Sequence, residues 1–402
     1  MIEGKGSLEK RGKNRWRLRI NIGYKADGRP IRRYRTVTAK NKTEANRYLA
    51  QFITEIESGE YIAPEKMHFS AFVEEWKNKY AAKELAPTTY YSYVKTIERR
   101  MLPVFGDMKL SDIKPFHIVD YMNELQKPGQ HTQKEGATLS ASVLQFNHRI
   151  LKNIFSRAVD WEIIKTNPVA NVSKPKATKS RADAYDNQEI ELLFEALKNE
   201  PEQWKVMMTL VFSTGLRRGE VLGLEWDKVD LQEGTLEVVQ TVQYVAGQGS
   251  LIRPPKTGRT RKMSLPADVV HMLKEYKHQK SKDKLQAGEL WADHNHFFVF
   301  SSWDGKPMHA TSVGQWWSRF TKRHGLKHIR FHDLRHTSAT FLINRGVHPK
   351  VIADRLGHAD IMTTMNIYGH VLQQADKQTA KEFDGVFKKQ SSNIKKESTA
   401  KN

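Results

Sequence analysis

Six side chains follow one another in a fixed order through the C-terminal half of this chain: Arg217, Lys256, His332, Arg335, His358 and Tyr368. Their segments are Thr214-Gly-Leu-Arg-Arg-Gly-Glu220, Pro255-Lys-Thr257, His332-Asp-Leu-Arg-His336, Leu356-Gly-His358 and Asn366-Ile-Tyr368. The residue types suit attack on a phosphodiester without a metal. Two guanidiniums can grip one phosphate, each offering a planar fork of donors to non-bridging oxygens. Imidazoles add donors where negative charge grows in the transition state. Lys256, a flexible ammonium between Pro255 and Thr257, can protonate a departing oxygen that leaves poorly as an alkoxide. Tyr368 is the candidate nucleophile. A free phenol has a pKa near 10, so ionising it in advance at neutral pH would cost about 4 kcal/mol. Its proton must leave during attack, or the arginines must lower that pKa.

Each residue also has a plainer reading. A single Arg at a helix start is usually a surface charge, a loop Lys is usually solvated, and a His after a Leu-Gly pair is a common neighbour of a helix end. Lys262 rivals Lys256 for the acid role, and Tyr244 is an alternative phenol. His332 and His336 are four apart, so with Asp333 they could be read as a metal pair, although no third ligand is spaced for one. Glu220 is placed to brace Arg217 by an ion pair, Arg218 should point to solvent, and His336 should be a buried support. What separates the functional reading from these is the order of the whole set.

That order resembles the tyrosine recombinase (phage integrase) family, whose signature is an Arg in a Thr-Gly-Leu-Arg turn, a hairpin Lys, a His-x-x-Arg box, a Leu-Gly-His box and a Tyr about ten residues on. All five parts are present, over residues 183 to 375. The resemblance implies a DNA strand transferase that needs no cofactor, metal or ATP, because the cut strand is held as a 3′-phosphotyrosine ester with a free 5′ hydroxyl. It further implies four protomers on double-stranded DNA and a Holliday junction intermediate. An excisionase that sets direction and a host DNA-bending protein are the implied partners, in the cytoplasm and nucleoid of a bacterial host.

Composition is consistent with this reading. Lys and Arg outnumber Asp and Glu by 66 to 45, a net charge of +21, and residues 1–42 carry 14 basic against 3 acidic side chains. About half of the surplus thus falls in a tenth of the chain, which points to a polyanionic partner. The absence of Cys excludes disulfides and Cys-type zinc sites. No apolar run approaches a membrane span, and the polar N-terminus lacks a secretory hydrophobic segment.

The elements that must position these groups are legible in outline. From Arg15 to Ile22 the residues alternate, with Trp16, Leu18, Ile20 and Ile22 on one face and Arg15, Arg17 and Arg19 on the other. A second basic strand, Arg29 to Val37, adds Arg33 and Arg35, and a helix over 43–58 turns Ala45, Leu49, Phe52, Ile53 and Ile56 inward. A small sheet with arginines outward is a candidate DNA reader, and it resembles the arm-binding domain of element integrases. After a linker over 59–67, the spacing of Phe69, Phe72, Val73 and Trp76, and of Leu144, Leu151, Ile154, Phe155 and Ala158, predicts an all-helical domain. It resembles the family's core-binding domain. Next come a basic linker over 171–183, a stretch mixing helices with one short sheet, with strands over 235–245, 251–253 and 259–265, and a polar tail.

The expected architecture is therefore multidomain and mainly α with small β-sheets, the catalytic part being α+β. The expected boundaries are 1–60 for arm binding, 66–172 for core binding, 181–388 for catalysis and 389–402 for a disordered tail. Two rivals remain at this stage, a type IB topoisomerase-like strand relaxer and a catalytically silent DNA-binding regulator. The apolar stripe Ala380, Phe383, Val386 and Phe387, suited to docking on a neighbouring protomer, favours recombination over relaxation.

Overall fold

A computed structural model of the protein describes residues 6–24, 28–57, 67–130, 136–176, 183–255, 258–292, 295–362 and 364–365. Lys256 and Tyr368 lie outside the described residues, as do Lys179 and Arg181 of the basic linker, the stripe from Ala380 to Phe387 and the tail over 389–402. The chain divides into two compact units, residues 1–179 and 180–402.

The first unit opens with an antiparallel sheet of β1 (Ser7–Lys10), β2 (Arg15–Tyr24) and β3 (Pro30–Thr38) in that order, backed by α1 (Lys42–Glu57). The alternation of β2 does what a half-buried strand requires: Leu18 and Ile20 are buried against Leu49 and Phe52, while Arg15 and Arg19 remain exposed on the other face. Strand β3 departs from expectation. Leu18 pairs with Arg35 and Ile20 with Arg33, and directly opposed residues share a face, so these two arginines stand on the helix side. Arg35 lies 4.4 Å from the Phe52 ring and pairs with Glu55. The outer face instead receives Arg32, Tyr34 and Thr36, opposite Asn21, Arg19 and Arg17. Reading β3 as uniformly basic ignored its own period of two, which puts Ile31, Arg33, Arg35 and Val37 together.

The rest of this unit is helical: α2 (Phe69–Trp76), α3 (Pro87–Thr96), α4 (Pro115–Glu124) and the 20-residue α5 (Ala141–Asp160). Phe69, Phe72, Val73 and Trp76 interlock with Leu151, Ile154, Phe155 and Ala158 in one core, so the aromatic stripe packs rather than presenting bases with a stacking surface. Ser140 starts α5 by accepting from the Val143 amide. Just past its end Glu162 takes a left-handed backbone, φ 59°, and accepts from Arg15 Nη2 at 3.0 Å and Thr36 Oγ1 at 2.7 Å on the outer face of the sheet.

The second unit is α+β. Helices α6 (Asn187–Leu197), α7 (Glu202–Thr214) and α8 (Arg218–Leu222) lead into strands β4 (Val229–Asp230), β5 (Thr235–Val238), β6 (Thr241–Val245), β7 (Gly249–Arg253) and β8 (Arg261–Ser264). Four helices follow: α9 (Ala267–Ala287), α10 (Ala310–Arg323), α11 (Asp333–Asn344) and α12 (Pro349–Leu356). The stretch 235–245 is two strands rather than one: β5 joins a sheet ordered β4-β5-β8, and β6 forms a hairpin with β7. The break is fixed by close backbone approach, since a Cβ at Gly223 would sit 3.1 Å from the Thr241 backbone and Gln240 donates to the Gly223 carbonyl at 2.9 Å. One core of α7, α10 and the sheet, with Trp204 stacked on Trp316 at 4.3 Å, includes Leu216 beside Arg217 and Leu334 beside Arg335, while α11 and α12 pack on each other in a second cluster of Ala339, Ile343, Ile352 and Leu356.

Candidate active site

The site begins at a forced turn. Helix α7 ends at Gly215 in the left-handed region, φ 65°, and a Cβ there would fall 2.1 Å from Leu356 Cδ2. Only glycine meets both conditions. Buried Leu216, Val221 and Leu222 pin the turn from below, which leaves Arg217 at the start of α8 with its side chain over the surface. Glu220 then does more than brace it. This carboxylate is 1% exposed, and its Oε2 accepts the Arg217 amide at 2.9 Å while Oε1 accepts Arg217 Nη1 at 2.8 Å. Arg261 forks onto the same carboxylate, Nη1 to Oε1 at 3.0 Å and Nη2 to Oε2 at 2.6 Å. Burial pushes the Glu220 carboxyl upward, but the Arg261 hydrogen bonds and charge outweigh it and hold the group below the usual carboxylate range.

Arg335 lies within α11, 2% exposed, and donates from Nη1 to the Gly215 carbonyl at 2.6 Å. Its Nη2 is buried without a hydrogen-bond partner among the described residues. Burial, and then the nearby Arg217 charge, pull this guanidinium down to about 9, so it stays charged at neutral pH with a donor unspent. Arg217 Nη2 reaches the Gly357 carbonyl at 2.9 Å, which ties the first Arg turn to the Leu-Gly-His turn.

That second turn repeats the first in construction. Helix α12 ends at Gly357, φ 68°, and the His358 amide donates back to the Ala353 carbonyl at 2.9 Å. His358 Nδ1 lies 2.8 Å from Oγ1 of buried Thr364, with the tautomer left open by the geometry. Burial first, then the Arg335 and Arg217 charges, press its imidazole down to about 4. His332 stands at the N-cap position of α11 without a side-chain capping bond and meets the His336 ring edge-on at 5.6 Å. Lost hydration, then His336 and Arg335, lower it to about 4 as well. His332 is exposed, so solvent screens this shift, and its direction is toward the neutral form. His336 is half-buried and also lowered, by burial first. Among the described residues no three His, Asp or Glu side chains are grouped to hold a metal.

Arg217, Arg335, His332 and His358 are thus brought together, each within the electrostatic reach of others in the set. Arg218 is exposed as expected. Lys262 is exposed on the strand face opposite Arg261, and exposed Tyr244 packs its ring 4.2 Å from that of His309. Arg261 was missed by motif reading. Its signal was present: it shares strand parity with buried Met263, and a cation on an inward face needs a buried anion.

A buried carboxylate aiming one guanidinium, a second guanidinium with a free donor, and two imidazoles shifted toward the neutral form make a cationic site that an oxyanion such as a phosphodiester could enter. Comparison with known proteins agrees. The phage integrase family matches residues 184–375, and the phage integrase N-terminal SAM-like domain matches residues 68–126. The chain belongs to the phage integrase family, the tyrosine recombinases, and is a DNA strand-transferring enzyme. It is 27% identical over 406 residues to a tyrosine recombinase XerC-like protein of Caldanaerobacter subterraneus subsp. tengcongensis, covering 95% of this chain and 99% of that one. It is 25% identical to the ICEBs1 integrase of Bacillus subtilis, over 75% of this chain and 78% of the other. In fold it is similar to the Tn1549 transposon integrase in complex with circular intermediate DNA, with TM-score 0.61 and 20% identity over 74% of this chain and 93% of that one. It is also similar to a lambda integrase tetramer bound to a Holliday junction, with TM-score 0.53 and 19% identity over 90% and 94% of the two chains. Among the described residues no helix is long and apolar enough to cross a membrane.

Proposed function

We propose that this enzyme integrates and excises a mobile element by site-specific recombination, with Arg217 and Arg335 clamping the scissile phosphate and Tyr368 attacking it. The observation that carries the reading is the unspent, buried Nη2 of Arg335 beside Arg217. A phosphodiester oxygen would satisfy that donor and relieve the mutual repulsion of the two guanidiniums. The same anion would raise the depressed imidazoles and favour the donor forms of His332 and His358 as charge grows.

In the proposed step the Tyr368 phenolic oxygen bonds to phosphorus and the bond from phosphorus to the 5′ oxygen breaks. The departing oxygen takes a proton from Lys256, and the phenolic proton passes to a neutral imidazole, His332 or His358. The 3′-phosphotyrosine ester keeps the bond energy, so the reverse attack by a 5′ hydroxyl rejoins strands without ATP. Four protomers would exchange one strand pair, pass through a Holliday junction and exchange the other. Residues 1–60 would read arm sites through Arg15, Arg17 and Arg19, residues 66–172 would grip the core site, and residues 181–388 would cut. An excisionase and a host bending protein would set direction, with the enzyme working at the nucleoid of a bacterial cell. Support for an element integrase comes from the integrases among its relatives and from the basic sheet ahead of the core.

The test is a covalent adduct. Supercoiled DNA carrying the element's own ends, mixed with the protein in excess EDTA, should yield protein-linked DNA. Tyr368→Phe should bind that DNA within about threefold of normal and form none, the nucleophile being gone. An adduct from the Phe variant would move the role to another tyrosine, and an adduct that needs Mg²⁺ would revive the metal reading.

A further inference from the structure

We infer that Arg261 is a positioning residue of the strand-transfer reaction, the tie that fixes Arg217 and the His358 turn at one spacing. The inference rests on the strand-transfer reading above and extends it to a side chain outside the six-residue set.

Arg261 spends its guanidinium on two parts of the site at once. Nη1 and Nη2 fork onto both oxygens of Glu220, the carboxylate that aims Arg217, and Nε donates to the Arg355 carbonyl at 3.1 Å, in the last turn of the helix that precedes His358. A cation at a helix C-terminus meets the negative end of the helix dipole, so the second contact is favoured for the same reason that the first is. The helix answers in kind: Arg355 Nη2 donates to the Ser213 carbonyl at 2.9 Å and the Ser264 carbonyl at 3.0 Å, stitching α12 to the end of α7 and to β8. Gly357 is an independent sign of the fit. A Cβ there would lie 2.9 Å from Arg261 Nη1 and 3.0 Å from its Cζ, so the backbone that offers its carbonyl to Arg217 rests directly on the Arg261 plane.

The consequence is charge arithmetic as well as geometry. Glu220 alone with Arg217 would be a closed pair, drawing that guanidinium down onto the carboxylate and weakening its hold on a phosphate. With Arg261 supplying a second positive charge, the pair becomes a triad of net charge +1, and Arg217 keeps electrostatic pull for an incoming anion. A planar fork is needed for this work. The ammonium of Lys cannot span both carboxylate oxygens and the Arg355 carbonyl together.

The experiment compares wild type, Arg261→Met and Arg261→Lys as full-length proteins on supercoiled DNA carrying the element's own ends. Duplex affinity, single-turnover adduct rate and thermal melting are measured in parallel. Arg261→Met should keep a cooperative melt and duplex affinity within about threefold, while the adduct forms about 10- to 100-fold more slowly, the scale of losing an oriented catalytic donor. Arg261→Lys should recover part of that rate but stay at least about threefold slow. The double variant Arg261→Met/Glu220→Gln should lose less than the product of the two single losses, because both act on Arg217. A wild-type rate in Arg261→Met overturns the inference. So does a loss of rate matched by equal losses of affinity and melting, and if Arg261→Met does not fold, a wild-type rate in Arg261→Lys overturns it. Wild type separates the two layers: no adduct from it sinks the strand-transfer reading and the role of Arg261 together, whereas brisk adduct from both wild type and Arg261→Met removes only the latter.

Discussion

At the scale of single residues, burial and neighbouring charges hold Arg335, Glu220 and His358 away from their ordinary protonation behaviour. Arg335 is charged where hydration is lost, and its fork is half used on the Gly215 carbonyl. Arg335→Lys keeps the charge and loses the fork, so adduct formation should fall by about 10²- to 10³-fold with duplex affinity largely kept; a loss under about threefold would show that the second donor does not touch the phosphate. The histidines give a pH signature. His358, half-buried, falls to about 4 in the folded chain from an ordinary 6.5, and exposed His332 is lowered in the same direction. Between those values the unfolded chain binds protons that the folded chain does not, so stability is full above about pH 6.5 and declines as pH falls toward 4. Glu220, also depressed, adds its loss only below its ordinary 4.5. Urea midpoints at pH 7 and pH 5 should therefore differ more for wild type than for His358→Asn, and equal differences would mean that the ring is not neutralised by its surroundings.

At the scale of elements, two helices end in left-handed glycines, and each ending places the next candidate site residue, Arg217 or His358. Gly215 stops α7 one residue before Leu216 and two before Arg217, and Leu356 from α12 fills the space where a side chain would go. Gly215→Ala should cost about 2–5 kcal/mol, from the left-handed backbone and the displaced leucine together. Adding Leu356→Ala removes the clash but not the backbone strain, so the double variant should regain less than it loses by creating a cavity. A Gly215→Ala protein as stable as wild type in urea would mean that the turn can relax without cost, contrary to the packing seen here.

At the scale of the whole molecule, the positive charge concentrated in residues 1–42 is sorted by a sheet into two faces. Arg15, Arg17 and Arg19 stand on the side away from Leu18 and Ile20, whereas Arg33 and Arg35 do not. Replacing the first three by Ala should leave the sheet folded and, if they meet phosphates, flatten the plot of log affinity against log salt by up to about three, at about 0.9 per contact. Arg15 and Thr36 are held by Glu162, which DNA must displace, so Glu162→Gln should tighten duplex binding. Replacing Arg33 and Arg35 should instead lower stability, since Arg35 covers Phe52 and pairs with Glu55. An unchanged salt slope in the triple variant would place DNA elsewhere on this unit.

That Arg217, His332, Arg335 and His358 would meet was legible in the sequence, because each sits in a short segment whose local geometry is set by neighbours: a glycine that ends a helix, an Arg that begins the next, a His and an Arg three apart. So was the half-buried character of the first basic strand, since period-two alternation is a local property. What only the tertiary structure decided depends on partners distant in sequence. Strand register turned Arg33 and Arg35 inward, a contact 41 residues apart in sequence gave Glu220 its second cation in Arg261, and partial burial beside two arginines shifts His358 toward its neutral form. None of these follows from spacing, because register, burial and the pairing of buried charges are settled by which surfaces the folded chain brings together.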